Sequence, residues 1–486
     1  MPRDGVFRHS LAACDDGLSQ IHLRFIAAAS PMVLPISLFA TTSPPRLAPP
    51  EPRGHWLWGN VEFLGDPLGE MTRVAQKYGG VVRLRLLTHS AWMITDPEVI
   101  ESVLITNAAQ FRKHFAVRIL PIALGNGLLT SEGSFYTRQR RLVQPAFQRS
   151  QMPHYFGIFE SYTRHMLDRW QVGEERDILR EMMSLTMSTA ARTMFGADAD
   201  THAERVRNAL EIGHAEFVRR LITIFQIPLW IPTPGNMRLR RAARDLDDII
   251  YEFIRRRRES HEERSDVLSR LLAARDEGSS TGMTDKQLRD ECLTIFLAGQ
   301  ETSSLTLAWT WFLLAQHPEA AARIYEEVDR VLGGRTPTLE DLPHLHEIEF
   351  AVLEAMRMYP AIWVLGREPL VDTEVGGYPC PRGTTLLMPP YAVHRDPRYF
   401  DAPDEFRPER WRNHFEQSLP KCAYFPFSAG PRVCLGGTFA MVQLKLVIAM
   451  LAQRFQFTLK PGQTIVPEAQ VTLRPKPAVW SQITAR

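Results

Sequence analysis

Segment 284–317 constrains this chain more than any other. Thr284, with Gln287 three residues on, opens an apolar run of roughly thirty residues that stops at Pro318. Thr-x-x-Gln fits a capping box, in which the two side chains satisfy N–H groups left unpaired at a helix start. Proline then ends the helix, because it lacks an N–H and clashes with the preceding turn. A soluble helix this long and apolar nearly all round must cross the interior of a large fold. A chain of 486 residues can supply that interior without disulfide or metal staples.

Composition removes several function classes. With 44% apolar and 23% charged residues, disorder over most of the length is excluded. Lys plus Arg (57) nearly balances Asp plus Glu (55), so no nucleic acid partner is expected. Cys14, Cys292, Cys380, Cys422 and Cys434 form no Cys-x-x-Cys pair, which argues against a disulfide scaffold or structural zinc and suits a reducing, cytoplasmic location. Residues 25–41 are apolar but short of the roughly 20 residues of a spanning helix, and Pro31 and Pro35 interrupt them. A signal-like stretch, an interfacial anchor and a true start at Met32 are all open. A disordered or loosely docked extension over 1–44, without membrane attachment, is the expectation.

The proline-dense stretch 44–53 reads as a stiff lead-in, placing the folded domain at 45–486. Three-to-four spacing of apolar residues predicts helix over 155–195, 203–225 and 237–262, with a loop at 226–236. Arg255 to Arg258 reads as a solvated face beside Glu259, Glu262 and Glu263. Helices follow over 319–332 and 345–359, a small sheet over 367–395, and a helix over 437–455 with an apolar stripe from Leu444 to Phe455. The fold class is mainly α with a minor β region.

The chemistry concentrates at Phe427-Ser-Ala-Gly430-Pro-Arg432-Val-Cys434-Leu-Gly436-Gly437. A lone cysteine follows a Gly/Pro-rich loop and precedes an apolar helix, where unpaired N–H groups and the helix dipole favour a thiolate. A buried structural cysteine in a tight turn is the plainer alternative for an isolated Cys-x-Gly. The whole run resembles the haem-binding loop of the cytochrome P-450 family, Phe-x-x-Gly-x-Arg-x-Cys-x-Gly, at every fixed position. The resemblance implies a triangular prism of helices around a buried haem with small sheets at one side. It implies haem b with Cys434 as axial ligand to the iron, Phe427 packed against it, and Gly430, Arg432 and Gly436 shaping the cofactor loop.

Other matches occur in the family's order, from about residue 45 to the C-terminus. Glu354-Ala-Met-Arg357 is similar to the Glu-x-x-Arg helix, and Pro408-Glu409-Arg410-Trp411 to the segment whose arginine completes a buried network. Glu354, Arg357 and Arg410 are thus implied to be structural. Ala298-Gly299-Gln300-Glu301-Thr302 is similar to the Ala-Gly-x-Asp/Glu-Thr motif, which implies proton delivery to dioxygen by Thr302 and Glu301. The segment 133–141 aligns with the Trp-x-x-x-Arg helix, with Tyr136 where tryptophan is usual. Tyr136, Arg140, Arg367 and either Arg112 or His114 are implied propionate partners.

The family's position over the haem implies a substrate pocket lined by Phe115, Leu120, Leu128, Phe296, Ala298, Thr302, Ile362, Trp363 and Val364, apolar enough for an apolar small molecule. Fatty acid, terpene, steroid and polyketide classes all remain open. The Pro-rich loop at 226–236 aligns with a mobile lid. No Gly-x-Gly-x-x-Gly fingerprint appears, and the residues after Cys434 are too few for a reductase domain. The expectation is a monomer fed by a ferredoxin or flavodoxin with its reductase, so that NAD(P)H acts only indirectly. The resemblance predicts a monooxygenase that hydroxylates or epoxidises its substrate. A peroxide-dependent peroxygenase and a non-catalytic haem-binding protein are the alternatives.

Overall fold

In the computed structural model, residues 48–486 are described apart from 56–58, 87–88, 115–116, 118–123, 197–204, 206–207, 210–211, 214–215, 217–229, 261–264 and 277–280. The expected extension 1–44, most of the expected helix 203–225 and residues 226–229 lie outside the described residues.

The apolar run forms the helix Asp285–Gln316. Its capping box is made on both sides: the Gln287 amide donates to Thr284 Oγ1 at 3.2 Å, and the Thr284 amide donates to Gln287 Oε1 at 2.8 Å. Every residue from Ser303 to Leu314 is buried, because helices Ile178–Phe195, Pro234–Ser260, His346–Met358 and Gly437–Arg454 all pack against it. Gly437–Arg454 is itself buried on every side from Gln443 to Ala452, where the sequence reads as a single stripe.

Two expected boundaries differ. The stretch read as helix over 155–195 is two helices, Met152–Leu167 and Ile178–Phe195, parted by a turn and the strand Glu175–Asp177. Gly173 takes φ +94° in that turn, and Asp177 caps the second helix through the Arg180 amide. The helix Pro234–Ser260 begins inside the segment read as loop, since proline is tolerated in a first turn. Its basic run is mostly a solvated face, with Arg255 paired to Glu259 and Arg256 to Glu252. Arg257 is the exception: it is buried, donating to Asp266 at 2.7 and 2.6 Å and to the Phe195 carbonyl at 2.9 Å.

The region read as a small sheet contributes Leu365–Pro369 and Thr385–Met388 to a five-stranded sheet, and Thr373–Val375 and Tyr378–Cys380 to a hairpin. The larger sheet also takes Val81–Leu86, His89–Ile94 and Phe111–Lys113, which the helix-dominated reading missed. Near the C-terminus, Trp480–Ala485 pairs with Phe455–Leu459 and Glu175–Asp177, and Val466–Ala469 pairs with Leu473–Lys476.

Glu354, Arg357 and Arg410 come together. The Arg357 guanidinium donates to Glu354 at 2.9 and 3.0 Å, and Arg410 Nε donates to it at 2.9 Å. Trp411 Nε1 and the Arg407 amide each add a bond at 2.9 Å. Arg357 also donates to the carbonyls of His394, Pro403 and Glu405, so a fully buried charge pair is satisfied on every side.

Candidate functional site

A cavity of about 2050 Å³ lies between the Cys434 loop and the middle of the helix Asp285–Gln316. The loop is folded by its own backbone. The Ser428 amide donates to Phe425 at 2.9 Å, Val433 to Gly430 at 3.0 Å, and Cys434 to Phe427 at 2.9 Å. Gly430 needs glycine: its φ is +70°, and a Cβ would stand 2.0 Å from the Leu104 carbonyl oxygen. A Cβ on Gly436 would stand at ordinary contact distance, 3.9 Å, from Cys434 Sγ.

Cys434 is the described cysteine that lines the cavity; Cys292, Cys380 and Cys422 are buried elsewhere. It is exposed. Burial pushes its thiol up, opposed by the Gly436 N–H and by Arg140. Burial is the larger effect, ahead of the Gly436 N–H and Arg140.

Beside the loop stands a cluster of buried cations. Arg432 pairs with Glu132, but its Nη1 is buried with no hydrogen-bond partner. Arg367 is buried and lowered to about 10, by burial first and then by Arg432. Lys113 Nζ donates to the carbonyls of Leu128 and Ser131 at 2.8 and 2.7 Å; burial, joined by Arg432 and Arg367, pushes it down to about 7. Glu132 is the carboxylate already beside all three, and three cations around it call for a further anion.

Lys113 is a residue that the sequence reading passed over. In the strand Phe111–Lys113, alternate side chains face the same way, so Phe111 and Lys113 are buried while Arg112 turns out to Glu368 at 3.0 Å. His114 follows Lys113 and lines the cavity, close enough to Gly366 that a Cβ there would stand 2.4 Å from His114 Cβ. Tyr136 and Arg140 also line the cavity, but their polar atoms hold the cysteine loop. Tyr136 Oη donates to the Pro431 carbonyl at 3.1 Å, and Arg140 Nη1 donates to Tyr136 Oη and to the Val433 carbonyl, both at 2.9 Å.

Across the cavity, Gly299 faces open space: a Cβ there would meet nothing within 4 Å. Thr302 donates its hydroxyl to the Ala298 carbonyl at 2.7 Å, leaving the oxygen lone pairs as acceptors. Glu301 accepts from Thr472 Oγ1 at 2.7 Å and from Arg474 Nε at 3.1 Å, partners with no distinctive sequence signal. Leu128, Ala298, Ile362, Trp363 and Val364 line the cavity as expected. Phe296 does not. Two residues from Ala298 it lies on the opposite helix face, buried beside Phe195, and Ile295 and Leu297 line the cavity in its place. Phe115 and Leu120 lie outside the described residues.

A haem fits this donor set. A thiol lines the cavity as a soft ligand, and an unpartnered Arg432 nitrogen stands with Lys113 and Arg367 as donors for carboxylates.

The family model for cytochrome P450 matches residues 49–481. The chain belongs to the cytochrome P450 family. Its relatives include cyclooctat-9-en-7-ol 5-monooxygenase of Streptomyces melanosporofaciens, 35% identical over 84% of this chain and 90% of that one. Pentalenene oxygenase of Streptomyces avermitilis is 34% identical over 87% of this chain and 94% of that one. The crystal structure of the cytochrome P450DA heme domain superposes with a TM-score of 0.83 at 26% identity, covering 91% of this chain and 99% of that one. This P450 is accordingly a haem-thiolate monooxygenase that uses haem b and dioxygen and depends on a redox partner for electrons. No helix among the described residues is long and apolar enough to cross a membrane.

Proposed function

We propose that this P450, with residues 45–486 as its haem domain, inserts one oxygen atom into a cyclic terpene bound between Cys434 and Thr302. One observation carries the reading: a single apolar-walled cavity has the Cys434 thiol at one side and the Gly299–Thr302 stretch at the other. The terpene class draws on the relatives, one named for pentalenene and another for cyclooctat-9-en-7-ol.

Cys434 Sγ would hold the haem iron. Arg432, Lys113 and Arg367 would hold the propionates together with His114, while Tyr136 and Arg140 act mainly by fixing the cysteine loop. Haem held there would supply the iron that activates dioxygen. Thr302 holds a proton relay beside that position, its hydroxyl oriented by the Ala298 carbonyl, and Glu301 exchanges protons with it through solvent. Leu128, Ile362, Trp363 and Val364 exclude water and hold the substrate's apolar frame. Electrons come from a ferredoxin or flavodoxin with an NAD(P)H-dependent reductase, in the cytoplasm.

The test is to titrate purified holoprotein with pentalenene and other cyclic terpenes, then to supply ferredoxin, reductase and NAD(P)H. A low-to-high spin shift followed by a mono-oxygenated product is expected. Spin shifts and products from fatty acids alone would overturn the terpene assignment.

A further inference from the structure

We infer that Arg474 is a positioning residue for Glu301, so that the hairpin forming one wall of the cavity also sets the orientation of the acid beside Thr302. The inference rests on the reading of Glu301 as a proton-handling group.

Glu301 is directed away from the helix axis onto the hairpin Val466–Ala469/Leu473–Lys476. Its Oε1 accepts from Arg474 Nε at 3.1 Å, from Arg474 Nη2 at 2.5 Å and from Thr472 Oγ1 at 2.7 Å. The acid on the neighbouring strand does not compete. Glu468 stands opposite Arg474 in register, but its carboxylate is taken by Gln470 and Lys476. Arg474, Thr472 and Gln470 all line the cavity, as do Glu301 and Thr302. The ion pair therefore belongs to the substrate chamber, with side chains only 24% and 20% exposed. There a charge-assisted bond orients more firmly than on an open surface.

The hairpin backbone is fastened independently of that pair. The Leu473 amide donates to Ala361 at 3.0 Å, Trp309 Nε1 donates to the Leu473 carbonyl at 3.0 Å, and Trp363 Nε1 donates to the Gln470 carbonyl at 2.9 Å. Removing the Arg474 guanidinium thus takes away both of its bonds to Glu301 Oε1 and leaves the one from Thr472, without releasing the wall. A misdirected acid delivers protons poorly. The two electrons and two protons that should turn dioxygen and substrate into alcohol and water then leave with dioxygen as hydrogen peroxide.

The experiment compares holoprotein carrying Arg474→Gln, Arg474→Lys or Glu301→Gln with the unaltered protein, using pentalenene as probe. Three quantities are read: peroxide formed per NAD(P)H consumed, the pentalenene dissociation constant from the spin shift, and amide hydrogen exchange over residues 466–476. Arg474→Gln is expected to raise the peroxide share severalfold, with binding within about twofold and exchange unchanged, and Arg474→Lys to restore most of the coupling. Faster hairpin exchange with weakened binding and no rescue by lysine would make Arg474 merely structural and overturn the inference. So would an unchanged peroxide share in Arg474→Gln when Glu301→Gln raises it. An unchanged share in Glu301→Gln itself would overturn the underlying role of Glu301, and the inference with it.

Discussion

Trp411 donates its indole N–H to Glu354 at 2.9 Å, and that one carboxylate also holds Arg357 and Arg410. The bond ties the segment Pro408–His414 to the helix His346–Met358, so the network clamps two segments distant in sequence.

Glu354→Gln should destabilise the protein strongly. It leaves the Arg357 guanidinium, fully buried, without its countercharge, a loss of about 3–5 kcal/mol. Trp411→Phe removes one bond to a charged group and should cost about 1.5–3 kcal/mol. Chemical denaturation of both variants checks the order; equal stabilities for the two would contradict it.

The cation cluster predicts how firmly haem is retained. Lys113→Met and Arg432→Leu each remove a donor facing the expected carboxylates, at about 1.5–3 kcal/mol for a charge-assisted bond. Transfer of haem to an excess of a haem scavenger should run about tenfold faster or more in either variant. Arg112→Leu, which removes a group tied to Glu368, should leave the rate unchanged.

Glu291 gives the protein a pH dependence. Its Oε2 accepts from the Leu128 amide at 3.0 Å while Oε1 is buried without a partner, and burial, with Asp290 adding, pushes the carboxyl from 4.5 up to about 7. Between those values the folded protein keeps a proton that the unfolded chain has lost. The stability Glu291 contributes is therefore complete below 4.5, falls as pH rises towards about 7, and is flat above. The fall is on the order of 3–4 kcal/mol, at about 1.36 kcal/mol per pH unit. Glu291→Gln should flatten this slope in denaturation measured from about pH 4.5 to about pH 8.

The features legible in the sequence were those whose reason is local. The capping box at Thr284 and the Glu354–Arg357 spacing each follow from residues within one turn. What was missed depends on partners far along the chain. Lys113 becomes a buried cation because its strand pairs with Leu365–Pro369, which sets inside from outside one residue at a time. Arg257 looked like its neighbours until Asp266 and the Phe195 carbonyl met it. The family's position puts Phe296 on the cavity, and the helical period turns it away towards Phe195.

Thr302→Ala should keep haem and substrate binding but lower the rate of product formation by about 10²-fold, the scale of a lost proton-transfer group. Reducing equivalents should appear as peroxide instead. Tight coupling in this variant would contradict the relay role of the hydroxyl.

The most direct measurement is the absorption spectrum of the reduced, carbon-monoxide-bound protein with Cys434 intact and with Cys434→His. Thiolate ligation predicts the long-wavelength band of the family in the first and its replacement by the shorter-wavelength band of imidazole ligation in the second. The same band in both proteins would mean that the iron is held by another side chain, and that residue 434 is not the ligand.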